Sequence, residues 1–365
     1  MAALRFFFYL LMKPAALGFA LLGLVGIFAP FTDPNQWWVP AFSGLFMPLI
    51  LAGNLFLLLF WGLHKRAWVV LPLLAVSLNY QYFQSTFQWP WKNIQLTETS
   101  KHHLTIASYN IEGFYWVARD TNRYSVAKMV EKNNIDILCI QEHCEESNAD
   151  SALILRRIGL PHRAVFFNRK TDWANFGVTL YSRFPIVRSG NIDFGSERNA
   201  SIWADIQIGE RDTIRIFNNH LQTTNVSPNT RKYEEYGSIK DWHGQARVLV
   251  NILEQLKTNF QIRARQAQLV RRHIDTTKYP VVICGDFNDT PISYAFNHIK
   301  GDDFTDSFIA AGKGYGHSFK GIKGLLRIDF VAYQSDFACI SYHSPSLPWS
   351  DHNPVITKLA YNKKD

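Results

Sequence analysis

PVVICGDFNDTP, Pro280 to Pro291, is the stretch whose reading decides the fold. Its run Val281-Val282-Ile283-Cys284 is apolar and β-branched, the pattern of a strand buried on both faces. It stops at Gly285 in an acid–amide pair, Asp286 and Asn288. A strand of this kind carries polar groups to a sheet edge. Asp286 suits acceptance of a proton from water or the holding of a metal, and the Asn288 amide suits donation to a phosphoryl oxygen that gains charge in a transition state. By itself GDFN is equally a plain turn closed by an Asx hydrogen bond.

Working outward toward the N-terminus, the composition changes. Up to residue 100 there are five basic residues (Arg5, Lys13, Lys65, Arg66, Lys92) against Asp33 and Glu98, and three blocks, Pro14 to Thr32, Trp37 to Leu63 and Ala67 to Trp91, carry no charge. A helix needs about 20 apolar residues to cross a bilayer. The second block meets this easily, the first does so with Phe6 to Met12 joined across Lys13, and the third is marginal. The expectation is a membrane region over 1–92 with about three transmembrane helices, then a polar linker over 93–103. Basic residues flank the start and the 64–66 loop, whereas the loop from Pro30 to Pro40 has none. The positive-inside rule therefore puts the N-terminus in the cytoplasm and, with three spans, the remainder of the chain on the non-cytoplasmic side. Trp89-Pro90-Trp91 reads as an interfacial aromatic belt.

The remaining sequence, 104–365, has ordinary globular composition. The formal net charge of +8 over 365 residues is too diffuse to argue for nucleic acid and is compatible with anionic lipid or a phosphorylated substrate. Cys139 and Cys284 sit in apolar runs and read as small buried hydrophobes; no zinc spacing is present, and the state of Cys144 is open. Short strands alternate with amphipathic segments: a strand over Leu104 to Tyr109 ending at Asn110, a helix, then a strand over Ile135 to Ile140 ending at Glu142. Further strands follow, with His220 at the exit of one. Residues 224–262 read as an insertion, with Arg231-Lys232 and Glu234-Glu235 in a polar loop and a helix near Ala246 to Leu256; a second helix over Arg263 to Ile274 feeds the GDFN strand.

Six motifs then stand in order: SYNIEGF at 108–114, IQEH at 140–143, NHLQ at 219–222, GDFN at 285–288, RIDF at 327–330 and SDHNP at 350–354. In order and spacing they resemble the endonuclease/exonuclease/phosphatase superfamily over about Leu104 to Leu359. The resemblance implies an α/β fold, a four-layer sandwich of two mixed β-sheets flanked by helices, here preceded by the N-terminal transmembrane helices. It implies a metal-dependent phosphoric ester hydrolase. Glu142 would be the principal Mg²⁺ ligand, with Mn²⁺ as substitute, assisted by Asn110 and completed by Asp351. Asp286 would orient or deprotonate the attacking water and Asn288 would donate to the phosphoryl group. His220 and His352 would flank the phosphate, and Asp329 would hold the His352 ring in one tautomer. Arg198, in ERNAS, is a candidate phosphate contact and equally a solvated charge.

The substrate expected is a phospholipid head group or another phosphoester near the membrane. A surface nuclease acting on DNA or RNA is the alternative. His220 stands where abasic-site endonucleases carry a tyrosine, which argues against abasic-site repair; Glu112, two residues after Asn110, matches their further acid.

Overall fold

The computed structural model describes residues 2–91, 102–113, 119–147, 158–224 and 242–362. They form two compact units. The larger comprises Ser85–Thr223, Arg265–Asn288 and Ile299–Asp365; the smaller comprises Met1–Gln84, Thr224–Ala264 and Asp289–His298.

In the larger unit two six-stranded sheets form. One runs β13 (Phe337–His343), β14 (Val355–Tyr361), β2 (His102–Asn110), β3 (Ile137–Glu146), β5 (Ala174–Ser182), β4 (His162–Lys170). The other runs β10 (Phe304–Asp306), β12 (Asp329–Gln334), β9 (Val281–Asp286), β8 (Thr213–His220), β7 (Ala200–Gln207), β6 (Ile186–Asp193). A two-stranded ribbon joins β1 (Phe87–Gln88) to β11 (Gly314–Tyr315). Both large sheets are mixed: β2 and β3 run parallel, as do β8 and β9, and their other neighbours are antiparallel.

Alternation along the central strands explains the layering. Ile106, Ile137, Cys139 and Leu180 of one sheet and Ile202, Ile216, Val282, Cys284 and Val331 of the other fill a single apolar core. The intervening residues Ala107, Tyr109, Leu138 and Ile140 point outward and are covered by Val126, Met129 and Val130 of helix α6 (Arg119–Lys132). Central strands are thus apolar on both faces, which is why they read as continuous hydrophobic runs. All four cysteines are free, and Cys139 and Cys284 are buried.

The smaller unit holds α1 (Ala2–Gly26), α2 (Val39–Leu45), α3 (Met47–Leu63), α4 (Val70–Leu78) and most of α5 (Tyr80–Thr86). At one end Ala16 packs with Leu57, Trp61, Tyr9 and Trp68, and the Lys13 ammonium lies 5.9 Å from the Trp68 ring. At the other end Met47, Ile50 and Leu51 pack with Tyr82 and with Ile292. Between these ends two buried asparagines tie the helices to α1. Asn54 Nδ2 donates to the Phe19 carbonyl at 2.9 Å, and Asn79 Nδ2 donates to the Gly23 carbonyl at 2.9 Å. Such bonds satisfy polar groups where no water is at hand.

One stretch, Tyr9–Gly26, is long and apolar enough to cross a membrane. Val39–Leu45 and Met47–Leu63 reach that length together but bend by 74°, and Ala67–Leu78 is shorter. Of the segment 224–262, expected as an insertion, the described residues cluster with these helices. The two helices expected around Ala246 to Leu256 and Arg263 to Ile274 are one continuous helix, α7 (Trp242–Asp275). No proline or glycine separates them, so nothing in the backbone chemistry ends the first.

Gly285, in the GDFN strand, has φ of +142°, and a Cβ there would lie 2.0 Å from the Asn219 carbonyl oxygen on β8. Gly195 also has positive φ (+65°), but no atom lies within 4 Å of its Cβ position. We expect Gly195→Ala to cost about 1–2 kcal/mol from backbone strain alone. Gly285→Ala must also push β8 from β9, so it lowers the thermal unfolding midpoint further or prevents folding. Thermal melts of both variants beside the parent check this ordering.

Candidate active site

Strand register assembles half of the site. His220 stands opposite Asp286 in the parallel β8–β9 pair, and Asp329 stands opposite Asp286 in the antiparallel β12–β9 pair. Residues opposite one another share a face of a sheet, so His220, Asp286 and Asp329 form one row across three adjacent strands. All three are buried.

The second sheet contributes from the ends of β2 and β3. Asn110 is paired with Gln141, and a bulge between Ile140 and His143 sets Glu142 at φ +51°. That left-handed residue breaks the strict alternation and re-aims the carboxylate, a regular use of a bulge beside a site. Asn110 Nδ2 then donates to Glu142 Oε1 at 3.1 Å and to Asp286 Oδ2 at 3.0 Å, joining residues from both sheets. Behind them Gln141 Nε2 donates to Asn218 Oδ1 (2.6 Å), while Asn218 Nδ2 donates to the Ile140 and Thr179 carbonyls (2.9 Å each).

His352 completes the row. Its Nδ1 lies 2.8 Å from Asp329 Oδ2, and its Nε2 lies 3.8 Å from Asp286 Oδ2 and 3.7 Å from Asp351 Oδ1. Burial by itself would lower the His352 pKa, but Asp329 and Asp286 beside it prevail and raise it to about 10. Burial, then the neighbouring Asp329, pushes the Asp286 carboxyl up to about 6 against the pull of His352, His220 and the Asn110 amide. His220 Nε2 is 3.5 Å from Glu142 Oε1 and 4.0 Å from Asp286 Oδ2; it and Asp329 Oδ1 are buried atoms with no hydrogen-bond partner among the described residues. Asn288, at φ +53°, donates its backbone N–H to Asp286 Oδ1 (2.8 Å) and its Nδ2 to the Leu221 carbonyl (3.1 Å).

The structure therefore brings Asn110, Glu142, His220, Asp286, Asn288, Asp329, His352 and Asp351 together. Arg198 is exposed on the loop between β6 and β7, and no contact among the described residues ties its guanidinium to the cluster. Arg231-Lys232 and Glu234-Glu235 lie outside the described residues.

Several supporting residues carried no signal in the sequence. Ser318 Oγ accepts the backbone N–H groups of Ile328 and Asp329 (2.9 and 3.0 Å), and its carbonyl accepts from Asn353 N. Phe319 packs its ring 5.1 Å from the His352 ring. The Lys320 ammonium donates to the Leu347 and Ser350 carbonyls. The segment from Ser318 to Lys320 thus fixes both members of the Asp329–His352 pair from a loop that has no periodicity. Glu112, at φ +49°, accepts the Asp351 N–H at 3.3 Å, and burial and Asp351 raise its pKa. Arg327, the first residue of RIDF, is buried in a bidentate pair with Asp306 (2.6 and 3.3 Å) between the Phe308 and Phe330 rings.

The oxygen donors on the Glu142 side are its own carboxylate, whose side chain is 37% exposed, and the nearby Asp351 carboxylate, while Asn110 turns its Nδ2 to Glu142 and its Oδ1 accepts the Glu112 backbone N–H at 3.0 Å. This suits a hard divalent cation that keeps several waters. Asp286, Asp329 and His352 also bring one ligand atom each within 4.8 Å of one another. In that group His352 and Asp329 are engaged with each other at 2.8 Å.

Paired mixed sheets with carboxylates, imidazoles and amides at the strand ends define a phosphoesterase- or nuclease-like fold. The Endonuclease/Exonuclease/phosphatase family model matches residues 107–352, and the chain belongs to this family. Members are hydrolases acting on phosphoester bonds and are generally dependent on divalent metals. Residues 5–86 match a second model, described as a domain of unknown function (DUF8431). Among solved structures, the human Nocturnin catalytic domain with bound sulfate anion is similar, with TM-score 0.51 and 16% identity over 75% of this chain and 99% of that one. A family protein from Bacteroides thetaiotaomicron has TM-score 0.50 and 17% identity, covering 72% of this chain and 99% of its own. Another from Leptotrichia buccalis has TM-score 0.50 and 14% identity, covering 71% and 100%. At these identities the likeness is one of fold. No curated protein matches.

In Asp329→Asn, His352 loses the carboxylate that most favours its charged form, and its titration midpoint moves down by about 1–3 pH units. Histidine NMR titration of parent and variant measures this; an unmoved midpoint would mean that the pair does not govern the ring.

Proposed function

We propose that the chain is a membrane-tethered, Mg²⁺-dependent phosphoester hydrolase acting outside the cytoplasm on a phospholipid head group or another phosphoester near the bilayer. The observation that carries this reading is Asn110 Nδ2 joined to both Glu142 and Asp286, because it unites a hard-cation side and a proton-accepting side in one site. Glu142 and Asn110, completed by Asp351, would hold Mg²⁺, or Mn²⁺ in its place. When bound, such a cation neutralises phosphoryl charge that otherwise repels a nucleophile.

The protein's own groups divide the remaining work. Asp286 takes a proton from the attacking water as the new P–O bond forms. Its carboxylate is aimed by the Asn288 N–H and the Asn110 amide, which leaves little freedom to be lost at the moment of reaction. His352, held by Asp329, presents its Nε2 as a charged donor to a non-bridging oxygen, where negative charge builds up. His220 Nε2, buried and without a hydrogen-bond partner among the described residues, supplies the proton that leaves with the departing oxygen. Asn288 supports the same transition state from the loop after β9.

Sidedness rests on the smaller unit. Lys13 and the His64-Lys65-Arg66 turn lie at one end of its helices, while Ile292 packs with Met47 and Tyr82 at the other. With the basic end cytoplasmic, the segment that follows Asn288 emerges on the opposite side.

A panel of phosphomonoesters and phosphodiesters, including phospholipids in vesicles, tests the proposal. Turnover is expected with Mg²⁺, is lost with EDTA, and falls by ~10²–10⁴ in Asp286→Ala if Asp286 is the base. EDTA-insensitive turnover, or equal rates for the variant, would overturn it.

A further inference from the structure

Helix α7 carries one apolar stripe, Leu249, Leu253, Leu256 and Phe260, at spacings of four, three and four residues, so these side chains lie along one face. The lower part is covered. Leu256 (2% exposed) and Phe260 pack with Ala41, Phe42, Leu45 and Phe46 on and just after α2, within the smaller unit. The upper part is not: Leu249 is 58% exposed and its flanking neighbour Val250 is 56% exposed. The opposite face carries Arg247, Asn251, Glu254, Gln255 and Thr258, with Glu254 paired to Lys257 at 3.5 Å. From Trp242 to Leu253 there is no acidic residue.

A soluble helix does not ordinarily continue its core stripe into water over two further turns. Here the stripe runs on from α2, and α2 leads into α3, whose Leu49, Leu55, Phe56 and Leu59 are themselves exposed large hydrophobics. The unit on which α7 packs thus exposes large apolar side chains of its own, and the proposed function places that unit in a bilayer. The occupant that fits is lipid. A helix with an apolar stripe, a polar opposite face and no acidic residue in its first three turns matches an element lying in the plane of a membrane interface.

We propose that the first half of α7 lies in the lipid–water interface with Leu249 and Val250 seated among the lipids. This rests on the membrane-tethered reading and adds to it a contact outside the N-terminal helices. The segment that makes it runs between two site residues in sequence: it follows His220 and returns through α7 into β9 and Asp286.

The test uses the full chain, with Cys144→Ser so that only buried native cysteines remain, reconstituted in phosphatidylcholine vesicles. Single cysteines in place of Leu249, Val250 or Arg247 carry a polarity-sensitive fluorophore, and nitroxide lipids serve as quenchers. Labels at 249 and 250 are expected to emit to the blue of the label at 247. They should also be quenched more strongly, most by a nitroxide set ~5–10 Å into the headgroup–acyl boundary. Equal emission and quenching at all three positions would overturn the proposal. So would a blue-shifted label at 249 that lipid nitroxides fail to quench, which would mean protein covers the stripe. Hydrolysis of a water-soluble phosphodiester by the same preparations reports separately on the catalytic reading. Leu249→Asp is expected to leave that rate unchanged while lowering turnover of vesicle-borne phospholipid severalfold.

Discussion

Asp286 is a carboxylate with no solvent contact, set between a second buried carboxylate and two buried imidazoles. Moving an isolated charge out of water is very costly, and two adjacent carboxylates make the cost greater. The arrangement holds because the charges are organised rather than dispersed. The charged form of His352 lies within 4 Å of both Asp329 and Asp286, and two amides and a backbone N–H donate to Asp286. Removing any one partner would leave an uncompensated group in a low-dielectric space, where electrostatic terms are largest. The strand register that lines up His220, Asp286 and Asp329 is therefore the constraint on which the site depends. A one-residue slip of β9 against either neighbour would turn Asp286 to the other face.

A polar tie between the sheets supports this row. Over most of its extent the interior is apolar, filled by Ile, Val, Leu and Cys from both sheets. At the site end Asn218, from the β9-containing sheet, reaches across to carbonyls of β3 and β5, and Gln141 answers from the other side. A buried network of this sort contributes little net stability beside an apolar core of equal volume, but it tolerates one arrangement only. It fixes the approach of the two sheets at the place where Asn110 must reach both Glu142 and Asp286.

Much of this was legible in the sequence, for a simple reason. Three of the site residues, Asn110, His220 and Asp286, stand at the C-terminal ends of central strands, and such strands advertise themselves as apolar runs that stop at a polar residue. The six motifs supplied the rest. What could not be read was held by loops and edges. β4, β6 and β13 are half-exposed strands of mixed character, so they lack the buried-run signature. Ser318, Phe319 and Lys320 act through short contacts to backbone groups far away in sequence, and no periodicity marks them. Glu142 was found by motif, yet its aim depends on a bulge and a positive φ that no residue pattern announced. Residues 224–262 were visible as extra chain, but the association of α7 with the N-terminal helices was not, because its apolar stripe is equally the stripe of a helix covering a sheet.

The positions at which the chain passes between its two units give the fold its functional sense. It leaves the larger unit after Thr223, three residues past His220, and again after Asn288, two residues past Asp286. Both departures follow site residues directly. Leu221 receives the Asn288 side-chain N–H on its carbonyl, and its own N–H donates to the Asp286 carbonyl, so the two exits are hydrogen-bonded to each other at the point of departure. In the smaller unit the returning segments are again held together, since Arg263 Nε donates to Asp289 Oδ2 at 2.9 Å with both side chains buried. A buried ion pair of this kind gives positional definition more than net stability. Its two members belong to the segments that begin just after His220 and just after Asn288.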